Sequence, residues 1–378
     1  MLLIKNCKII LENSIEPGSL LVDQGKIVEI NPCLSDFSGE VIDGEGLYLS
    51  PGFIDIHIHG AGGCDTMDGT FEALNTIAKT IANHGTTSFL PTTMTCNKED
   101  IKKSLGVIKD AKKSGTDGAN VLGAHLEGPF INPEMIGAQN PNFIQSPSIE
   151  NFNNIVGDNI DAVTSITLAP EVDGAHDLIR YLYTGGIRVS MGHTKATYDE
   201  AMEGIQCGVC HCTHLYNAMT PLHHREPGVV GATFDSHITT ETISDGIHIS
   251  FPSLRVAYSQ KGTEKVMLIT DAMMACSMVD GQYSLGGQDV FVKNGAARLK
   301  NGALAGSILT LDKAIHNVFT NTNYPLWQVV KMATLNPAKF CNVSHKKGLI
   351  KKGYDADLVL FDENINIKKV IINGNVVK

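Results

Sequence analysis

Long apolar runs are missing from this chain: no stretch of its 378 residues reaches the roughly 20 apolar residues that a membrane-spanning helix needs. The opening residues, Met1-Leu2-Leu3-Ile4-Lys5-Asn6-Cys7-Lys8, lack the sustained apolar core of an export signal, which points to the cytoplasm. A disulfide framework is missing too. Nine cysteines, an odd number scattered through the chain, suit reduced thiols better than paired ones. Positive charge is in short supply, with 30 Lys and Arg against 40 Asp and Glu, and the formal net charge of -10 argues against nucleic acid and against an acidic membrane surface. An anionic substrate would need a local cationic pocket. No internal repeat or low-complexity segment stands out. What is present, 43% hydrophobic and 19% charged residues over more than one typical domain length, suits a soluble α/β barrel with an appendage.

Residues 1 to 50 alternate in short β-like pieces such as Gly18 to Asp23 and Lys26 to Ile30, separated by polar turns. The end of the chain looks similar, with strands expected over Asp357 to Phe361 and Val370 to Val377. One small β-sandwich domain built from residues 1–50 and 346–378 is therefore predicted. Between them, residues 51–345 alternate strand and helix, the signature of a parallel α/β fold. Apolar strands are expected to end near His59, Pro91, Glu127, Pro170, His193, His214, His248 and Asp271, eight in all, which predicts a closed (β/α)8 TIM-like barrel. Phe71, Leu74, Ile77, Ala78 and Ile81 share one helix face before Gly85, and Ala175 to Tyr183 behaves alike. After the eighth strand, Asn294-Gly295 and Asn301-Gly302 mark turns of a β insertion, followed by a helix over Leu309 to Phe319.

Active sites of such barrels lie at the C-terminal ends of the strands, which is where the polar residues gather. In Asp55-Ile56-His57-Ile58-His59, strand alternation turns the aspartate and both histidines the same way. A lone His-x-His also suits a half-buried strand. Glu127, in His125-Leu126-Glu127-Gly128-Pro129, His193 and His214 close the third, fifth and sixth strands. Nitrogen and oxygen donors of this kind suit Zn(II) or Fe(II), one or two ions with an open position for water. The alternative for each is a hydrogen-bonded core residue. Asp271 ends an almost wholly apolar eighth strand, where a carboxylate is costly without a strong partner; beside activated water it would shuttle the proton, and otherwise it would anchor backbone. Arg225, in His223-His224-Arg225, and His248 concentrate cationic or switchable donors in an acidic chain, and a guanidinium can grip phosphate as a fork. Cys207-Gly208-Val209-Cys210-His211 matches a haem-attachment motif, but it overlaps the sixth strand and is expected to pack.

With these motifs, and Gly137-Ala138-Gln139-Asn140-Pro141, Asn217-Ala218-Met219 and Leu304-Ala305-Gly306-Ser307, the sequence resembles the amidohydrolase superfamily, and within it the deacetylases of amino-sugar phosphates, over essentially its whole length. The resemblance implies metal binding by Glu127, His193 and His214, catalysis by Asp271, and sugar-phosphate contacts at Ala138, Gln139, Asn217, Ala218, Arg225, His248, Leu304, Ala305, Gly306 and Ser307. Members differ at the strand-one pair, so His57 and His59 allow a second ion; some carry histidine where Gln139 stands, which leaves that residue either polarising the acetyl carbonyl or lining the pocket. The implied reaction is hydrolysis of the acetamide of N-acetyl-D-glucosamine 6-phosphate in a homodimer. Alternatives are the galactosamine analogue, a cyclic-amide hydrolase, which would not need Arg225 and His248, and a catalytically silent sensor, which would not need Asp271.

Overall fold

The computed structural model describes residues 1–33 and 37–378. Eight parallel strands, Phe53–Ile58, Thr86–Thr93, Ala124–Glu127, Val163–Leu168, Arg188–Met191, Val209–Cys212, Thr239–Ile243 and Val266–Ile269, neighbour one another in chain order. They close through the segment beyond the last strand: Ala272 bridges Ile58, Asp271 N–H donates to His57 O at 2.9 Å, and His59 N–H donates to Ala272 O at 2.8 Å. This TIM-like closure sets Asp271 beside the strand-one histidines. Among the described residues no helix is long and apolar enough to cross a membrane.

The expected strand ends at His193 and His214 fall two residues past the observed ones, because both histidines turn into the left-handed region with φ 48° and 29°. His248 lies five residues beyond the seventh strand, in a bend where Asp245 accepts the N–H groups of Ile247 and His248. The helix predicted from Phe71 spans Phe71–Ala82 behind the N-cap Thr70, but Phe71 itself is 42% exposed in the first turn while Leu74, Ile77, Ala78 and Ile81 face the core. The helix expected from Leu309 begins at Leu311, after Thr310.

Strands from both chain ends share one sheet, since Tyr48–Pro51 pairs antiparallel with Leu358–Phe361. That sheet curls on itself, with Ile27 N–H on Tyr354 O and Ala356 N–H on Gly25 O tying its edge strand Lys26–Ile30 to the segment that leads into Leu358–Phe361, and encloses Ile4, Ile9, Leu20, Leu49, Leu358 and Leu360. Its other face, including Phe361 and Val370, joins the barrel core. The strand expected over Val370 to Val377 is a hairpin instead: Asn373 and Gly374 both have positive φ, as a tight Asn-Gly turn requires, between Ile367–Ile372 and Asn375–Val376. After the eighth barrel strand, Gly281–Leu285, Gln288–Lys293 and Ala296–Leu299 form an antiparallel insertion packed on Met94 and Met273. Gln288 ties it across the barrel mouth by donating to Ala138 O at 2.7 Å.

Candidate active site

At the C-terminal end of the barrel lies a cleft of about 150 Å³, bounded by His59, Glu127, His193, His214 and Asp271 on its polar side and by Met94, Ile243 and Leu285 on its apolar side. Glu127 is the common point. Its Oε1 lies 3.3 Å from His57 Nε2, 3.3 Å from His193 Nε2 and 3.2 Å from His214 Nε2, and its Oε2 lies 3.3 Å from His59 Nε2. Two donor triplets therefore share one carboxylate: His57, His59 and Glu127 on one side, Glu127, His193 and His214 on the other. Asp271 Oδ1 sits 3.2 Å from His59 Nε2 and 3.6 Å from His57 Nε2. Of these six side chains Asp271 is the most open, at 8% exposure, and His57 is fully buried.

Hydrogen bonding on the far side of the rings decides what the near side can do. His57 Nδ1 meets Glu241 Oε1 at 2.6 Å, His59 Nδ1 meets Thr92 O at 3.2 Å, and His193 Nδ1 meets Met135 O at 2.8 Å. Each partner only accepts, so in the neutral ring the proton sits on Nδ1 and a bare Nε2 lone pair faces Glu127. His193 and His214 bring their Nε2 atoms within 3.1 Å of each other, and the buried His57 Nε2 has no hydrogen-bond partner. Lone pairs converging on a buried carboxylate repel unless a positive charge lies among them, and this donor set fits a divalent cation. The same demand shows in proton affinities. Burial works to lower His57, yet Glu241, Glu127 and Asp271 raise it well above the ordinary imidazole value, and His59 is raised to about 9. Burial works to raise Glu127 and Asp271, yet the imidazoles, His57 foremost, hold both below the ordinary carboxylate range.

The remaining sequence candidates divide. Ala138, Asn217, Ala218, His248, Leu304 and Gly306 line the cleft, and His248 Nδ1 is paired with Asp245 Oδ2 at 2.7 Å. Gln139 also borders it, but its amide is committed: Nε2 donates to Glu127 Oε2 at 2.6 Å while Oε1 accepts from Thr95 N–H at 2.7 Å. Ala305 is buried away from the cleft, and Ser307 spends its hydroxyl on Thr270 O at 2.5 Å and Leu309 N–H at 2.9 Å. Arg225 is not brought to the cleft of its own chain. It is exposed, 2.8 Å from His224 Nε2, beside a separate surface hollow lined by Thr197, Tyr198 and Pro227. In the cysteine motif, Cys207 ends the helix Tyr198–Cys207, Cys212 is buried in the sixth strand, and the sulfurs are unpaired.

Three buried groups escaped the sequence reasoning. Glu241 lies under His57, with His211 Nε2 at 3.2 Å on its other oxygen. His125 packs edge-on against His57 at 4.6 Å between ring centres and donates to or accepts from Thr167 Oγ1 at 2.7 Å; burial, then His57, push it down to about 3. Strand alternation from Glu127 could have found His125, and the isolated carboxylate in Thr239-Thr240-Glu241-Thr242-Ile243 could have flagged Glu241 as Asp271 was flagged.

A family model described as the amidohydrolase family matches residues 48–377. The chain is 39% identical over 362 residues to the N-acetylglucosamine-6-phosphate deacetylase of Lysinibacillus sphaericus, covering 96% of this chain and 93% of that one. It is 34% identical over 364 residues to an N-acetylgalactosamine-6-phosphate deacetylase of Escherichia coli O157:H7, at 96% and 95% coverage. Among solved structures, the N-acetylglucosamine-6-phosphate deacetylase of Pasteurella multocida superposes with a TM-score of 0.94 at 33% identity, over 99% of this chain and 98% of that one. A mutant Mycobacterium smegmatis deacetylase in complex with N-acetyl-D-glucosamine-6-phosphate superposes with a TM-score of 0.92 at 29% identity, over 100% and 99%.

Proposed function

The chain belongs to the amidohydrolase family, and on that premise we propose that it hydrolyses the acetamide of N-acetyl-D-glucosamine 6-phosphate to D-glucosamine 6-phosphate and acetate in amino-sugar catabolism. The observation that carries this is the Glu127 carboxylate shared by four imidazoles, with Asp271 beside them at the edge of the cleft.

Glu127, His193 and His214 would hold one divalent ion, Zn(II) or Fe(II), and His57 and His59 with Glu127 would hold a second. When bound, such an ion supplies Lewis acidity, lowering the pKa of water and offsetting charge on the amide oxygen. Asp271, ionised and the most open of the polar groups, takes the proton of the attacking water and returns it to the departing nitrogen, because an amine leaves poorly unless protonated. Ala138, Asn217, Ala218, His248, Leu304 and Gly306 receive the sugar phosphate. Gln139 orients Glu127, and Ala305 and Ser307 support the wall from behind. Arg225 lies outside its own cleft, so its fork on the 6-phosphate belongs to the site of a second copy in a homodimer. The unpaired thiols support a reducing, cytoplasmic setting. A core of its own, around Ile4, Ile9, Leu20, Leu49, Leu358 and Leu360, supports a small β unit of 1–50 and 346–378 beside a catalytic unit of residues 51–345.

N-acetylgalactosamine 6-phosphate is the second substrate reading, favoured by the Escherichia coli relative. Release of acetate and free amine from both sugar phosphates, measured in parallel with ring opening of dihydroorotate to N-carbamoylaspartate as the cyclic-amide reaction, tests the proposal. Turnover of the gluco compound above the others is expected; turnover of none would leave a binding protein, and preference for dihydroorotate would overturn the amino-sugar assignment.

A further inference from the structure

Beneath the cleft, Glu241 stands in the interior of the seventh strand at 1% exposure, where an ionised carboxylate is costly without strong partners. Its partners are strong. Oε1 takes His57 Nδ1 at 2.6 Å and the backbone N–H of His214 at 3.1 Å, while Oε2 takes His211 Nε2 at 3.2 Å. His211 is fixed in turn by Thr239 Oγ1 at 2.7 Å and by Phe340, 4.7 Å away between ring centres. His125 closes the remaining side of the His57 ring. A buried ion pair alone would satisfy Glu241 with any cation; here the bonds to Oε1 come from one ring nitrogen and one backbone N–H, and both belong to residues that would hold the ions.

We propose that Glu241 is the positioning residue of the His57 metal position: by accepting the Nδ1–H of His57 it leaves the Nε2 lone pair free and aimed at the Glu127 carboxylate. His211 keeps Glu241 from rotating away. The inference rests on the two-ion reading above and names what orients the imidazole at the His57 position. Outer partners of this kind are worth roughly 10- to 100-fold in metal affinity when removed. Leu in place of Glu241 keeps the volume but removes the oxygen that serves both His57 Nδ1 and the backbone N–H of His214; none of the side chains of Glu127, His193 and His214 bonds to Glu241, so the ion they would hold should stay.

The test is a count of zinc per chain, by elemental analysis, in the zinc-loaded parent and Glu241→Leu variant across a chelator series. The expected result is two ions in the parent, with one of the two released from the variant at roughly 10- to 100-fold weaker chelation and the other held as in the parent. Equal retention of both ions in parent and variant would overturn the inference alone. A single ion in the parent, unaffected by His57→Ala, would instead overturn the two-ion reading and the inference with it, whereas normal counts without turnover would strike only at the assigned reaction. Should the variant not fold, nitrogen-15 imidazole spectra of the zinc-loaded parent decide: a His57 proton on Nδ1 supports the inference, and one on Nε2 refutes it.

Discussion

Replacing Asp271 by asparagine removes a proton acceptor while keeping shape, and the backbone permits a clean comparison because asparagine tolerates the left-handed φ of 47° found there. Asp271 serves two proton transfers, from water and then to nitrogen. General acid and base catalysis contributes about 10²–10⁴-fold, so the turnover number should fall by about that factor or more, which corresponds to about 3–5 kcal/mol of transition-state stabilisation. Metal content should hold, since Asp271 neighbours two of the imidazoles, His57 and His59, whereas Glu127 neighbours all four. Amine release and elemental analysis on one sample separate the two effects. The pH profile supplies a sign: burial raises Asp271 but His57 and His59 lower it further, so the base stays ionised from neutral pH down through the ordinary carboxylate range. Activity that it supports is lost only as pH falls below that range, never as pH rises. Loss of metal together with activity would make Asp271 a ligand first, and activity within threefold of the parent would mean that another group carries the proton.

Replacing both His57 and His59 by alanine should reduce the ions bound per chain by one; a single ion in parent and variant alike, by elemental analysis, would leave Glu127, His193 and His214 as the sole site. Arg225→Ala should raise KM strongly for the phosphorylated sugar and hardly change the weak hydrolysis of unphosphorylated N-acetylglucosamine, and mixing it with Asp271→Asn should restore activity through heterodimers with one intact site. Equal losses on both sugars, or no recovery once subunit exchange is confirmed, would refute that role. Tyr258→Phe removes a fully buried hydroxyl held at 3.0 Å by both Thr242 and Ser244, and should cost about 1–3 kcal/mol in denaturant unfolding; because those two hydroxyls lie 3.2 Å apart and can bond each other, the lower half of that range is expected. An unchanged midpoint would mean that they already satisfy one another.

The barrel was legible because each strand is a short apolar run closed by a polar residue, and the donors of the site were legible for the same reason. What periodicity does not carry is the path of the chain once a strand has ended. His248 was placed at a strand end although the Asp245 turn carries it five residues further, and Val370 to Val377 was one strand until Asn373-Gly374 folded it back. Gln139 could not be assigned a task from sequence because that task is set by Thr95, 44 residues away in the chain, whose N–H turns the amide toward Glu127. Glu241 went unnoticed because a glutamate among threonines in a strand reads equally well as a solvent-facing position, and only closure of the barrel buries it.

The misplaced strand ends have a common cause that bears on chemistry. His193, His214 and Asp271, with φ of 48°, 29° and 47°, each stand two residues past a barrel strand in the left-handed region, where a residue with a Cβ costs of order 1–3 kcal/mol. A continued strand would send alternate side chains away from the axis; the left-handed step instead swings each functional side chain over the barrel mouth. Every one of these steps is held through its own backbone: His193 O accepts from Asn132 N–H at 2.9 Å, His214 N–H donates to the Glu241 carboxylate at 3.1 Å, and Asp271 N–H donates to His57 O at 2.9 Å while Asp271 O accepts from Ser307 N–H at 2.7 Å. Gly137, itself at φ 54°, presses so closely on His193 that a Cβ there would meet the ring at 3.2 Å. The strain is thus offset by the closure of the barrel itself, and the ligand geometry depends on the whole ring of strands rather than on any one motif.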